Sequence, residues 1–126
     1  MIVPEYLRYS SDHEWVRLEG KRATIGITDY AQDSLGDVVY VELPAVGERV
    51  SPGGSLGEVE STKSVSEVYS PVSGTVVVVN DTLNDFPQNL NSEPYGTGWI
   101  CEIEVDDVSE VDELLDAASY RLLTES

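Results

Sequence analysis

Two lysines, one histidine and one cysteine are the residues of this 126-residue chain scarce enough to argue chemistry from. Lys21 sits beside Gly20 between two β-prone runs, where a charged turn residue is ordinary. Lys63 lies in Glu58-Val-Glu-Ser-Thr-Lys-Ser-Val-Ser-Glu-Val-Tyr69, midway along the chain, with Ser61, Thr62, Ser64 and Ser66 around it. Small polar neighbours leave room for another protein to close around the amine, and the flanking runs place it at the tip of a hairpin. A lysine amine with its ordinary pKa of about 10.4 is mostly protonated at neutral pH and is a poor nucleophile unaided. It suits an acceptor that an enzyme deprotonates and acylates with a cofactor, giving a tethered arm that reaches several active sites. The plainer alternative is an ion pair in which Lys63 neutralises Glu58, Glu60 or Glu67, and such exposed pairs contribute little.

Other chemistry is poorly supplied. His13 with Asp12 and nearby serines has the residue types of a hydrolase triad, but triads are defined by geometry. One cysteine and one histidine are too few for a zinc site, and Asp106 and Asp107 lack the spaced ligands of a calcium loop. No phosphate-binding glycine motif occurs, so the glycines read as turns. The expected catalytic and metal-binding sets are therefore empty. An enzyme acting through its acidic pairs would have to show turnover by itself.

The elements around Lys63 read as short strands. Trp15 to Glu19 and Arg22 to Ile27 form a hairpin over Gly20 and Lys21. Thr28 caps a short helix through Asp29 to Leu35, which Gly36 ends. Strands are then expected over Asp37 to Glu42, Gly54 to Glu60, Ser64 to Tyr69, Gly74 to Asn80 and Trp99 to Val105, with proline and glycine between them. An internal repeat runs through these strands. Gly36-Asp-Val-Val-Tyr-Val-Glu42 matches Gly74-Thr-Val-Val-Val-Val-Asn80, and Gly54-Ser-Leu-Gly-Glu-Val-Glu60 matches Gly98-Trp-Ile-Cys-Glu-Ile-Glu104. Neither strand pair can bury its apolar face alone, so the two are expected to pack by a pseudo-twofold, with Ser61 to Ser73 crossing one end. In the tail, Ser109 reads as a helix cap, Val111, Leu114, Leu115 and Ala118 follow at helical spacing, and Leu122 and Leu123 extend the face after a break near Ala118. The nine acids after Cys101 read as a solvated helix face.

Composition bounds the partners. Twenty-four acids against 7 bases leave a net charge of -17, which repels phosphate backbones and anionic lipid. Neither nucleic acid nor membrane is expected as a partner; basic protein surfaces are. The length suits one domain, 1-126, with a core over about 22-105 and the flanking pieces 1-21 and 106-126 packed on it. The lone Cys101 excludes an internal disulfide and fits a reducing compartment. Residues 1 to 15 have neither a basic signal region nor an arginine-rich transit pattern.

Several longer segments together resemble the H-protein family of the glycine cleavage system: His13-Glu14-Trp15-Val16, Gly26 to Gln32, Leu35 to Pro44, Val59-Glu-Ser-Thr-Lys63, Tyr69 to Gly74, Val79-Asn80 and Asn91 to Trp99. The resemblance covers nearly the whole chain; Thr62 stands where valine is common in the family. It implies a mainly β barrel-sandwich hybrid of two quasi-symmetric halves, like a lipoyl domain, with short flanking helices and a C-terminal helix. It implies lipoate in amide linkage to Lys63, and a non-catalytic carrier that moves the aminomethyl group of glycine. The implied partners are glycine decarboxylase (P protein), the tetrahydrofolate-dependent aminomethyltransferase (T protein), dihydrolipoyl dehydrogenase (L protein) and a lipoyl-attaching enzyme. By the same resemblance Glu14 and Glu67 line a cleft for the loaded arm, and their expected role there is to pair with its ammonium, which as a protonated amine cannot expel the thiolate. The plainer alternatives are a local hydrogen bond from Glu14 that holds the Asp12 to Trp15 segment, and a Glu67 that faces solvent beside Lys63. A monomer is expected, in the cytoplasm of a bacterium or, for a trimmed eukaryotic chain, in the mitochondrial matrix. The alternative within the same carrier type is a lipoyl carrier or relay for another pathway, such as sulfur oxidation or 2-oxoacid dehydrogenase lipoylation. The Asn91 to Trp99 segment and the Trp15 region favour glycine cleavage. A biotin carrier fits less well, because Thr62 and Ser64 flank the lysine where methionines are usual.

Overall fold

The computed structural model describes residues 1 to 125. The seven expected strands are present, with ends shifted by a residue or two, together with two short strands that were not expected, the first and fifth: β1 Arg8–Tyr9, β2 Glu14–Glu19, β3 Arg22–Ile27, β4 Val38–Glu42, β5 Arg49–Val50, β6 Ser55–Ser61, β7 Val65–Tyr69, β8 Gly74–Val79 and β9 Cys101–Val105. The helices are α1 Asp29–Leu35, α2 Asn89–Ser92, α3 Ser109–Asp112 and α4 Ala117–Glu125, with a 3-10 turn at Asp81–Asn84. A six-stranded sheet in the order β1-β2-β3-β9-β8-β5 faces a three-stranded sheet in the order β4-β6-β7. Alternation along the strands sends Ile25, Val41, Val59, Val76 and Ile103 into one core shared by both sheets, the arrangement of a barrel-sandwich hybrid. Val16 of β2 joins the same core. Among the described residues no helix is long and apolar enough to cross a membrane.

The repeat is legible in the strand pairing. The first copy forms the antiparallel pair β4-β6 and the second the pair β8-β9, one in each sheet. Both pairs are interrupted at the same place in the repeat, between Val38 and Tyr40 and between Val76 and Val78. The copies are not in identical register: Val38 faces Ser61, whereas its counterpart Val76 faces Ile103 rather than Val105. A slip of two residues preserves which side chains point inward, so the core tolerates it. Of the stretch expected to cross one end, Ser61 to Ser64 is a tight turn, and only the segment after Tyr69 passes between the sheets.

One row of the three-stranded sheet is electrostatically unfavourable. Glu42, Glu58 and Glu67 are direct neighbours across β4, β6 and β7. Like charges placed opposite one another destabilise a ladder.

The tail departs from the expectation in detail. Ser109 is the first residue of α3 rather than its cap; Val108 stands at the cap without a side-chain bond, and Asp107 Oδ1, one residue earlier, accepts from the Ser109 backbone N–H at 3.0 Å and from the Ser109 hydroxyl at 2.7 Å. The break comes earlier than Ala118. Leu115 forms a β-bridge with Tyr9, and Asp116 then caps α4 by accepting from the Ser119 N–H at 2.8 Å. Leu122 is 71% exposed and Leu123 is 42% exposed, so α4 buries Ala117 and Tyr120 instead. These two, with Val3, Leu7, Tyr9 and Trp15, make a second core that ties both chain ends together.

Candidate functional site

Lys63 stands exposed at the tip of the β6-β7 hairpin. Neither Thr62 nor Lys63 has positive φ, so the turn is not of the primed kind that two-residue hairpins prefer. Ser61 supplies the missing hold. Its buried hydroxyl oxygen accepts from the backbone N–H groups of Lys63 and Ser64, each at 3.1 Å, and the Thr62 N–H donates to the Asp37 carbonyl at 3.0 Å. The lysine stem lies over Gly36, where an added Cβ would come within 2.9 Å of Cε. Gly36 has φ 79° and ψ -156°, a conformation essentially reserved for glycine. Among the described residues, no ion pair joins Lys63 to Glu58, Glu60, Glu67 or any other carboxylate.

The motif Asn91 to Trp99 fixes the ground beneath that stem. Asn91 Nδ2 donates to the Gly36 carbonyl at 2.8 Å and to Gln32 Oε1 at 3.1 Å, while its Oδ1 accepts from the Val38 N–H at 2.9 Å. One side chain thus sets the end of α1 and the start of β4. Trp15 Nε1 donates to the Pro94 carbonyl at 2.9 Å, and the indole occupies the space that a side chain at Gly26 would need.

Beside the hairpin, β7 is the free edge of its sheet, and a cleft of about 330 Å³ separates it from α1 and the Asp12 to Glu14 segment. Glu14 and Glu67 both line it, as do His13, Tyr30, Ser34, Leu35 and Ser64. The two expected acids are brought together in one cleft, and Lys63 is next in sequence to its wall at Ser64. Glu67 is exposed and accepts a hydrogen bond from the Ser55 hydroxyl. Glu14 is only 2% exposed: Oε1 accepts from the Ser10 hydroxyl at 2.6 Å and Oε2 from the Tyr69 N–H at 3.2 Å. The first bond is local; the second ties Glu14 across to the end of β7.

Burial pushes the Glu14 carboxyl up to about 7, against the smaller opposing pull of the Ser10 and Tyr69 hydrogen bonds. A carboxyl whose folded pKa is raised contributes stability below its unfolded pKa and loses it as pH rises through the folded value. Glu14 therefore costs the fold up to about 3 kcal/mol between roughly pH 4.5 and 7. Glu14→Gln is expected to flatten the fall in melting temperature across that window. His13, whose proton affinity is lowered by burial, contributes the opposite slope below its ordinary pKa of 6.5. The difference between the two pH profiles isolates Glu14, and parallel profiles would show that its carboxyl titrates normally.

His13 has no triad. Its Nδ1 lies 2.7 Å from the Tyr120 hydroxyl, and its ring stacks on Tyr30. Nothing in the local sequence signals this contact, because Tyr120 arrives from the far end of the chain.

Residues 7–126 match the family model described as Glycine cleavage H-protein. The chain belongs to that family. A glycine cleavage system H protein of Myxococcus xanthus is 53% identical over 124 residues, covering 98% of this chain and 96% of the relative. One from Geobacillus kaustophilus is 52% identical, over 98% and 97% of the two chains. A probable H protein of Haloarcula marismortui is 56% identical over 94% of each chain. The crystal structure of the H protein from Mycobacterium marinum superposes with a TM-score of 0.90 at 41% identity, covering 98% of this chain and all of that one. Family membership and fold thus agree over nearly the whole length. The hairpin tip fits an amide-linked lipoyl arm: an exposed lysine with no ion pair among the described residues, a backbone held beneath it, and a cleft alongside.

Proposed function

We propose that this chain is the lipoyl carrier of a glycine cleavage system, with lipoate in amide linkage to Lys63. The observation that carries the reading is the placement of Lys63, exposed and without an ion pair among the described residues, beside a cleft that holds Glu14 and Glu67. When bound, the dithiolane supplies the acceptor for the aminomethyl unit and the electrons released at glycine decarboxylase. The chain's own work is to present, shelter and release. Its partners are glycine decarboxylase, the tetrahydrofolate-dependent aminomethyltransferase, dihydrolipoyl dehydrogenase and a lipoyl-attaching enzyme, and the catalysis is theirs. The names of the relatives, matched over nearly full length, favour glycine cleavage over another lipoyl pathway.

Glu14 and Glu67 hold the cargo as an ammonium. A cation entering the cleft favours the ionised form of Glu14, which near neutral pH is poised between its two states. The ion pair formed there is shielded from water and stronger than one on the surface. Glu67 meets the same charge from the exposed side of the cleft.

Mass measurement of the chain after incubation with lipoate, ATP and a lipoyl-attaching enzyme tests the attachment: one adduct, on the peptide containing Lys63, is expected. For the cleft, Glu14→Gln combined with Glu67→Gln is expected to shorten the half-life of the loaded carrier about tenfold or more, timed by formaldehyde release. An unchanged half-life would remove both acids from the account.

A further inference from the structure

His13 is the only non-glycine residue with positive φ among those described, at 71°. Such a conformation costs an L-residue on the order of 1 kcal/mol or more and points to a constraint imposed from outside the local chain. The backbone is pinned on both sides: its N–H donates to the Ser10 carbonyl at 3.2 Å, and its carbonyl accepts from the Thr28 N–H at 3.0 Å. The ring is held as closely. It stacks on Tyr30 with centroids 4.6 Å apart, meets Tyr120 edge-on at 5.7 Å, and places Nδ1 2.7 Å from the Tyr120 hydroxyl.

That hydroxyl also lies 2.7 Å from Thr28 Oγ1, which accepts the Ala31 N–H at 3.2 Å as the cap of α1. The protons in this chain of groups can be assigned. Thr28 is wholly buried, and its hydroxyl proton needs an acceptor. Tyr120 is the partner within reach, so Thr28 donates to Tyr120 and Tyr120 donates to His13 Nδ1. An acceptor Nδ1 means a neutral imidazole with its proton on Nε2. Tyr120 is itself closely packed: it is fully buried in the second core and stacked on Tyr9 at 4.6 Å.

We propose that Tyr120, on the C-terminal helix α4, is a positioning residue for the arm cleft: its hydroxyl fixes the His13 ring on the cleft wall, neutral and with Nδ1 as acceptor. The consequence rests on the reading of this cleft as the shelter of a cationic cargo. A neutral imidazole beside Glu14 neither repels an ammonium nor competes with it for the carboxylate, as an imidazolium would. The terminal core, remote in sequence from Lys63, thereby sets the charge of the wall that the arm meets.

The chain has one histidine, so the imidazole nitrogen resonances of a 15N-labelled sample belong to His13 without ambiguity. In the unmodified chain at pH 7, Nδ1 is expected to be unprotonated and hydrogen-bonded, and Tyr120→Phe is expected to shift its resonance. In the lipoylated chain loaded by glycine decarboxylase, the same variant is expected to speed formaldehyde release about fivefold, what one neutral hydrogen bond is worth. His13→Gly, which relieves the φ strain and takes away the group that can become cationic, is expected to leave release unchanged by itself and to cancel the effect of Tyr120→Phe when the two are combined. His13→Asn, which tolerates the positive φ and carries no charge, is expected to behave in the same way. If Tyr120→Phe fails to fold, the unsubstituted chain carries the test through its ring nitrogens: a proton on Nδ1 at pH 7 overturns the proposal. An Nδ1 resonance unmoved by Tyr120→Phe, or release that Tyr120→Phe leaves unaffected or that stays accelerated when His13→Gly is added to it, overturns it as well. The second result leaves the cleft itself standing if the Glu14 and Glu67 variants still shorten the half-life, and the two failures are thereby distinguished.

Discussion

Replacing Lys63 by arginine is expected to abolish lipoylation and all glycine-dependent turnover in a mixture with the partner enzymes. The fold should be indifferent. Arginine keeps the positive charge, the side chain is exposed, and it has no ion pair to lose among the described residues, so stability should stay within about 0.5 kcal/mol. The turn is held by Ser61 through backbone groups that the substitution does not touch. Chemistry alone separates the two residues. The guanidinium stays protonated at any accessible pH and offers no free amine for acylation. Lys21, in the β2-β3 turn, is the only other lysine and serves as an internal control. Modification that moved to Lys21, or glycine breakdown that survived the arginine, would overturn the assignment.

The second large effect is expected at Gly57 in β6. This residue has φ 148°, and a Cβ there would run into the carbonyl oxygen of Glu42 on the neighbouring strand β4. Backbone strain and collision with main-chain atoms add, and neither is relieved by turning a side chain. Gly57→Ala is expected to cost about 3 kcal/mol or more, lowering the melting temperature by roughly 10 °C for a chain of this size. Circular dichroism melts measure it directly, and a loss under about 2 °C would mean that β4 and β6 separate easily at this point. Because β6 leads into the Lys63 turn, the damage falls on the sheet that displays the lysine.

Lys63 and its hairpin were legible in the sequence because the information is local: a rare residue type, small polar neighbours, and β-prone runs on both sides. The repeat was legible for a similar reason, since two strand pairs with one pattern face the same burial problem. Its two-residue slip in register was not, because such a slip changes no side chain's direction and leaves no mark on the alternation. The tail shows another limit. Asp107, Ser109 and Asp116 are all competent caps by residue type, and the choice among them depends on where the Tyr9 to Leu115 bridge interrupts the helix. The same bridge turns Tyr120 inward and leaves Leu122 outside.

The cleft was reached only through family resemblance. Its walls come from the Asp12 to Glu14 segment, α1 and β7, and no composition or spacing announces that they meet. Glu14 reads in the sequence as the first polar residue before a strand. Its burial and its raised pKa exist only once Ser10 and Tyr69 close around it.

The glutamate row on the three-stranded sheet bears on how Lys63 is held. None of Glu42, Glu58 and Glu67 has a cationic side chain of this chain within ion-pair distance among the described residues. What neutralises them is therefore mobile: counterions from the surrounding solution, effective over a Debye length of about 8 Å at physiological strength. The rigidity of the ladder behind the lysine is in that sense borrowed from the medium, and a basic surface settling there would displace those ions and stiffen it.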